Sequence, residues 1–398
     1  MEPGALADLA VLDLSNLFAA PLVSAILGDF GARVVKVEPP GGDPLRRMGV
    51  ARDGRSLMWA FVNRNKQAIT LDLDTDEGRE LLGRLVAHVD VVVENFTPEL
   101  RARRHCTYDE LAAVNPGLVV VSVSCYGTDG PYADRPGAGT LAEAFGGLTH
   151  LTGDADGPPM LGSFPLGDAL TGIVGALGAV VACHGRGGRA DGRGQHVDVS
   201  MYEPVLALLG GTVAGWDPGT PPPRRTGSRV PGGAPRNVYR TADDVWIAVS
   251  GTTDAQVARV LPVIGHDTDE DRRRFGRSHD RLSAVDELDA LVARWVGANC
   301  ASDVLDALLA ARVPAAPVND MAAIATDPHI RARGDLVAVD DAELGPVTMV
   351  APVPRLVATP GAIRWTGPAL GAHNDDVYRG MLGLGDGELG RLRDAGVV

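Results

Sequence analysis

The chain has 398 residues, 45 % of them hydrophobic and 22 % charged, which is enough for a substantial core and for two domains. Acidic residues outnumber basic ones by 51 to 37, a formal net charge of −14, and this argues against a general nucleic-acid binder, which needs a basic face to neutralise phosphates. Cys106, Cys125, Cys183 and Cys300 form no C-x-x-C pair, so neither a metal site nor a disulfide scaffold is expected, and the thiols should be reduced.

In chain order, Val11–Leu14 reads as a short buried strand, Pro21–Phe30 as a helix opened by proline, and Arg33–Glu38 as a second strand, which makes a βαβ opening. Ala68–Leu73 and Val91–Val93 continue as strands around a helix Thr75–Ala87, which carries Leu81, Leu82, Leu85 and Val86 on one face. Thr107 and Glu110 are spaced as a capping box before a helix Tyr108–Val114, and Leu118–Val123 reads as a strand buried on both sides. Strands alternating with helices predict a parallel, Rossmann-like sheet.

Phe164–Leu206 is the central stretch. Leu166-Gly167-Asp168 is followed by Gly172, Gly175 and Gly178 among Ile173, Val174, Leu177, Val180 and Val181, which predicts a tightly packed, buried helix starting just after Asp168. On that pattern alone Asp168 is a helix N-cap. Gly192–Gly194 then turns into a strand His196–Val199, and the spaced Gly185, Gly187 and Ala190 fail as a dinucleotide loop because no apolar helical run follows them.

The Pro- and Gly-rich 216–236 segment reads as a linker. Beyond it, a hairpin at Val238–Arg240 and Val245–Ser250, an amphipathic helix Val285–Val296 and a helix capped by Ser302 give a smaller α+β domain, with the charged run Asp269–Arg274 on its surface. The expected organisation is 1–215 as the first part of a large domain, 216–236 as linker, 237–325 as small domain and 326–398 as a returning segment. The N-terminus lacks a signal-peptide pattern and no run approaches about eighteen purely apolar residues, so a cytoplasmic protein without a membrane partner is expected.

A set of ordered motifs goes further. They are Val11-Leu12-Asp13-Leu14-Ser15 with Ala20-Pro21, Leu27–Ala32 with Val35-Lys36-Val37-Glu38, Asn65-Lys66, Glu94-Asn95-Phe96, Gly167-Asp168, Gly192–Met201, Asp327-Pro328-His329 with Arg333-Gly334, and Leu370-Gly371 with His373. In order and spacing these resemble the family III CoA-transferases, which include the formyl-CoA and carnitine CoA-transferases and share a fold with the α-methylacyl-CoA racemases. The resemblance covers nearly the whole chain. It implies a Rossmann-like large domain built from both chain ends, a small domain from the middle, and two copies interlocked as a homodimer. Coenzyme A and acyl-CoA are implied as substrates with a free carboxylic acid, and no tightly bound cofactor.

The resemblance also implies roles. Asp168 matches the family's catalytic aspartate, a nucleophile that holds the acyl group while CoA leaves. Arg103, in the basic run Arg101, Arg103, Arg104 and His105, falls where the family binds a phosphate, and Phe18, Ala19, Leu71, Asn95, Phe96, Leu100 and Met201 would line the nucleotide or pantetheine. Without it, Leu71, Phe96 and Met201 read as core and the arginines as a solvated helix face. Three departures stand out. Phe18 replaces a glutamine thought to steer small polar acyl groups. Gly232-Gly233 is a short counterpart of a glycine-rich lid. Ala138 stands where the racemases carry a second base, which disfavours racemisation, although His150 is a candidate replacement. The alternatives to a transferase are thus a racemase with another base and a catalytically silent CoA-binding protein.

Overall fold

A computed structural model describes residues 4–398. The chain divides into two compact units. The first comprises the residues up to Leu148 with Leu161–Gly215 and Ala332–Val398, and the second Thr149–Met160 with Trp216–Arg331.

The first unit is built on six parallel strands, β1 (Ala10–Asp13), β2 (Arg33–Glu38), β3 (Lys66–Thr70), β4 (Val91–Glu94), β5 (Val119–Ser124) and β6 (His196–Ser200), in the order β3-β2-β1-β4-β5-β6. Their near-continuous Val, Ile and Leu content suits a sheet covered on both faces. On one face Leu12, Val35, Ile69, Val92 and Val120 pack with Leu81, Leu82 and Leu85 of α2 (Asp76–Val86) and with Tyr378, Leu389 and Leu392 from the C-terminal segment. On the other, Val11, Val34, Val91, Val93, Val119 and Val121 pack with α1 (Ala19–Asp29) and the long helix described below. Thr75 caps α2 by accepting from the Gly78 N–H at 3.0 Å, and Thr107 and Glu110 form the expected capping box on the helix Tyr108–Val114.

The returning segment covers the exposed edge at β3. His373 Nδ1 accepts the Ala68 N–H at 3.1 Å, Asn374 Oδ1 accepts that of Thr70 at 2.9 Å, and the Tyr378 hydroxyl donates to the Thr70 carbonyl at 2.6 Å. An edge strand left open would template pairing with another chain. The hairpin Leu336–Asp341 and Gly345–Val350 belongs to the same unit, tied by Arg55 to Asp341 at 2.9 Å.

The long helix corrects two expectations. It runs Leu166–Gly187, so Asp168 lies inside its first turn rather than before it, and its N-cap, Pro165, makes no side-chain cap bond. Proline's fixed φ is suited to starting a helix early, and an acidic side chain in the first turn complements the helix dipole. The helix is also buried on one face only. A Cβ on Gly172 would overlap Leu22 of α1 and one on Gly175 would overlap Val23, so the glycine stripe is the packing face. Ile173, Leu177 and Val181, spaced four apart along one side, are 56 %, 61 % and 59 % exposed.

The second unit holds a three-stranded antiparallel sheet of Arg236–Arg240, Trp246–Ser250 and Ala315–Pro317, with helices whose Val257, Val260, Leu288, Val292 and Val304 fill its core. The charged run expected at the surface forms a helix, Asp269–Phe275, because Thr268 and Asp271 make a capping box and Phe275 is buried. Ser302 is not a cap. The helix Ala301–Ala310 has Cys300 in the cap position, and Ser302 is its second residue. Residues 216–235 contain neither helix nor strand. Arg225 ties them to the 149–160 segment through the carbonyls of His150 (2.9 Å), Asp154 (3.3 Å) and Gly157 (2.9 Å).

Candidate active site

In a parallel sheet each connecting helix begins at the carboxyl edge of the strands, and ligands bind there, where the strand order reverses. In this order the reversal falls between β1 and β4. Asn16 follows β1 and Asn95 follows β4. Asn95 Oδ1 accepts the Asn16 N–H at 3.0 Å, and Asn95 Nδ2 donates to the Asn16 carbonyl at 3.0 Å, stapling the two loops at the switch point.

The other residues singled out in the sequence distribute around that edge. Phe18 precedes α1 and leans on the small cluster of Leu45, Trp59 and Val62. Ala19 opens α1. Leu71 and Phe96 are buried with Leu100 against them, on the face that carries the C-terminal segment. Met201, 7 % exposed, is packed on the opposite face. Arg101 is bound to Glu94 at 2.9 Å. Arg104 forks onto Asp74 with two bonds of 3.0 Å, while its guanidinium lies 5.0 Å from the Phe96 ring centre. Arg103 is 55 % exposed and meets Asp74 at 3.3 Å. The basic run is thus partly neutralised from within, and Asp74 is held below the usual carboxylate range by Arg104 and then Arg103.

Asp168 sits where the long helix begins, in the crossover between β5 and β6, and so at the same carboxyl edge. Its carboxylate lies directly against the backbone of Gly139, the first residue of the helix Gly139–Phe145, and a Cβ there would overlap it. Ala138, the position at which the racemases carry a base, is the residue before Gly139 and offers only a methyl group. Burial lifts the Asp168 carboxyl to about 6. Its own N–H, which bonds it, works against that shift, and the charge of Glu143 adds to it. His150 belongs to the second unit, its Nε2 3.3 Å from the Pro223 carbonyl. Gly232-Gly233 lies there too, lining a cleft of about 420 Å³ with Arg225 and Arg236.

Glu143 was missed in the sequence. Only 2 % exposed, it accepts the Gly167 N–H at 3.0 Å, fixing the turn that carries Asp168. The signal was an acid among Leu141, Ala142, Ala144 and Phe145, which resembles a surface helix position. Because a like charge raises a carboxyl pKa, Glu143→Gln should move the acid limb of activity below the wild-type limb near pH 6. Burial is the larger cause, so the limb should stay above that of a free aspartate. A pH–rate profile showing no displacement would remove Glu143's charge from the account. Among the described residues no group of three or more His, Cys, Asp or Glu side chains is placed to hold a metal. The four cysteines are unpaired, and burial pushes the Cys106 thiol up to about 12.

The family model for CoA-transferase family III matches residues 6–374. The chain belongs to this family. Among curated family III relatives, the succinyl-CoA–D-citramalate CoA-transferase of Chloroflexus aurantiacus is 41 % identical over 399 residues, covering 100 % of this chain and 98 % of its own. The formyl-CoA:oxalate CoA-transferase of Streptomyces avermitilis is 33 % identical and covers 99 % of each chain. Among solved structures, a CAIB/BAIF family protein from Brucella suis superposes with a TM-score of 0.83 at 28 % identity, over 96 % of this chain and 100 % of its own. As a family III CoA-transferase the protein is an enzyme acting on CoA thioesters, and its mixed α/β fold with the six-stranded parallel sheet is that of its structural neighbour.

Proposed function

We propose that this enzyme moves CoA from a succinyl-type acyl-CoA to a second carboxylic acid, with Asp168 as the temporary carrier. The observation that carries the reading is the partly buried Asp168 carboxylate, at a helix N-terminus on the carboxyl edge of the sheet, with no second base at Ala138. The relatives' names support the acid class: succinate, citramalate, malate and mesaconate all have two carboxylates.

An Asp168 oxygen attacks the thioester carbonyl, the C–S bond breaks, and CoA thiolate leaves behind a mixed anhydride. The thiolate then attacks the Asp168 carbonyl, expelling the donor acid as its carboxylate and leaving an aspartyl-CoA thioester. The acceptor carboxylate attacks that thioester, releasing thiolate and forming a second anhydride. Attack of the thiolate on the acceptor's carbonyl completes the transfer and restores Asp168. Thioester is exchanged for thioester, so no ATP is required. The positive end of the long helix favours the charged carboxylate and the oxyanions formed on it. CoA is held by Phe18, Ala19, Leu71, Asn95, Phe96, Leu100 and Met201, with Arg103 on a phosphate. Incubation with succinyl-CoA and a panel of isotopically labelled acids, read by mass spectrometry, tests the reading. No new acyl-CoA from any acid would overturn it.

The family resemblance implies an interlocked homodimer, and the exposed Ile173, Leu177 and Val181 stripe is the face that a second copy would cover. Beside that stripe runs a largely apolar groove of about 780 Å³, lined by Leu22, Ile26, Phe61, Val350–Pro354 and Leu356. Leu177→Asp places a charge in that interface and should convert a dimer into a monomer on light scattering after gel filtration. A monomeric wild-type protein would exclude the dimer.

A further inference from the structure

Four aromatic side chains of the first unit form one connected wall. The Phe145 ring lies edge-on to Tyr126 at 5.3 Å, to Tyr132 at 6.0 Å and to Tyr202 at 5.0 Å. Arg135 lies over Tyr132, its guanidinium 3.5 Å from the ring centre. Among the described residues no carboxylate is within ion-pair distance of Arg135, whereas Arg46, Arg64, Arg101 and Arg104 of the same unit are each bound to one. In a chain of net charge −14, an arginine that directly follows Asp134 and still has no carboxylate within ion-pair distance is available to an acidic ligand. Stacking occupies the flat face of the guanidinium and leaves its in-plane N–H fork free, the geometry that grips a carboxylate bidentately.

The wall also connects Arg135 to the reacting carboxylate. Arg135 lies three residue steps from Ala138, so their Cα atoms are at most about 11 Å apart, and the next residue, Gly139, touches the Asp168 carboxylate. Between them the Tyr126 hydroxyl is bonded to the Cys125 thiol, whose sulfur lies 3.8 Å from the Ala138 carbonyl. The charge of Arg135 is felt at Tyr126 and that of Asp168 at Cys125. We propose that Arg135, held on Tyr132, binds the distal carboxylate of a dicarboxylic acyl group while its other end reacts at Asp168. This rests on Asp168 as acyl carrier and makes Arg135 a specificity-determining residue.

The test uses identity exchange on the full chain: succinyl-CoA with labelled succinate, and butyryl-CoA, of equal length but without the second carboxylate, with labelled butyrate. Arg135→Met should lower kcat/KM for succinyl exchange by about 10- to 100-fold, mainly through KM, the effect of deleting one charge-assisted pair. Butyryl exchange should change by less than about threefold, and Arg135→Lys should recover part of the succinyl loss. Equal loss with both donors, no loss with either, or no recovery by lysine would overturn the proposal. Wild-type enzyme that exchanges butyryl but not succinyl groups overturns it too while leaving CoA transfer intact. No exchange of any acid by the wild type overturns the transfer reading itself.

Discussion

Replacing Asp168 with alanine should slow CoA exchange by about 10⁴-fold or more, since removing a covalent nucleophile removes the pathway and leaves only binding and positioning. The fold should survive. The Asp168 carboxylate bonds its own N–H and its side chain is only partly buried, so alanine in the first turn of a 22-residue helix removes little structure. Two further measurements separate a carrier from a bystander. Hydroxylamine added to enzyme and acyl-CoA should convert Asp168 to a hydroxamate, and an acceptor labelled with heavy oxygen in its carboxylate should leave one heavy oxygen on Asp168. Direct attack of the acceptor on the donor thioester would also move label between the acids, but it would not label the enzyme. Full exchange by Asp168→Ala, or an unlabelled Asp168 after many turnovers, would sink the covalent scheme. With the carboxyl at about 6, the wild-type rate should fall tenfold per pH unit below that value as the nucleophile protonates.

How much of this was legible in the sequence varies with the kind of signal. Runs such as Val91–Val93 and the capping residues Thr75, Thr107 and Glu110 act through neighbours a few positions away, and the elements they predict are present. The long helix shows where periodicity runs out. Glycine and valine both count as apolar in the pattern, so it cannot tell which face is buried. The close approach of Gly172 and Gly175 to Leu22 and Val23 of α1 decides it. Asp168 was visible through the family resemblance, since the local pattern alone gave a cap. Glu143 and Arg135 lie in a segment with no periodic signature, and the roles proposed for them depend on what the fold brings opposite them.

Three of the motifs that carried the resemblance turn out to be one structure, and it provides the largest expected effect on stability. Asp13 ends β1, Lys36 lies in β2 and Lys66 opens β3, and all three are 1 % exposed or less. The Lys66 ammonium meets Asp13 at 2.8 Å, the Pro21 carbonyl at 2.7 Å and Asn63 at 3.0 Å. Lys36 lies 3.6 Å from Asp13 and 3.3 Å from Asp43 and also donates to the Ser15 carbonyl. Ser15 and Ser24 complete the carboxylate's shell at 2.5 and 2.6 Å. Burial would raise the Asp13 pKa, but the two ammoniums outweigh it and hold the carboxyl well below its usual range. Burial takes Lys66 down to about 8 even so, while Lys36, with two carboxylates, is held above its usual value. Asp13→Ala would leave two buried cations facing one remaining acid, which should cost about 3–5 kcal/mol. A thermal midpoint lowered by roughly 2–4 °C for each of those would be the readout. The pH dependence supplies the sign. Without Asp13 the Lys66 pKa falls further below its unfolded value, so the folded variant sheds its proton more readily than the wild type does. Its deficit should then narrow as pH rises toward 8. A variant as stable as wild type at pH 7, or a deficit that widens toward pH 8, would mean the buried charges are not compensating one another.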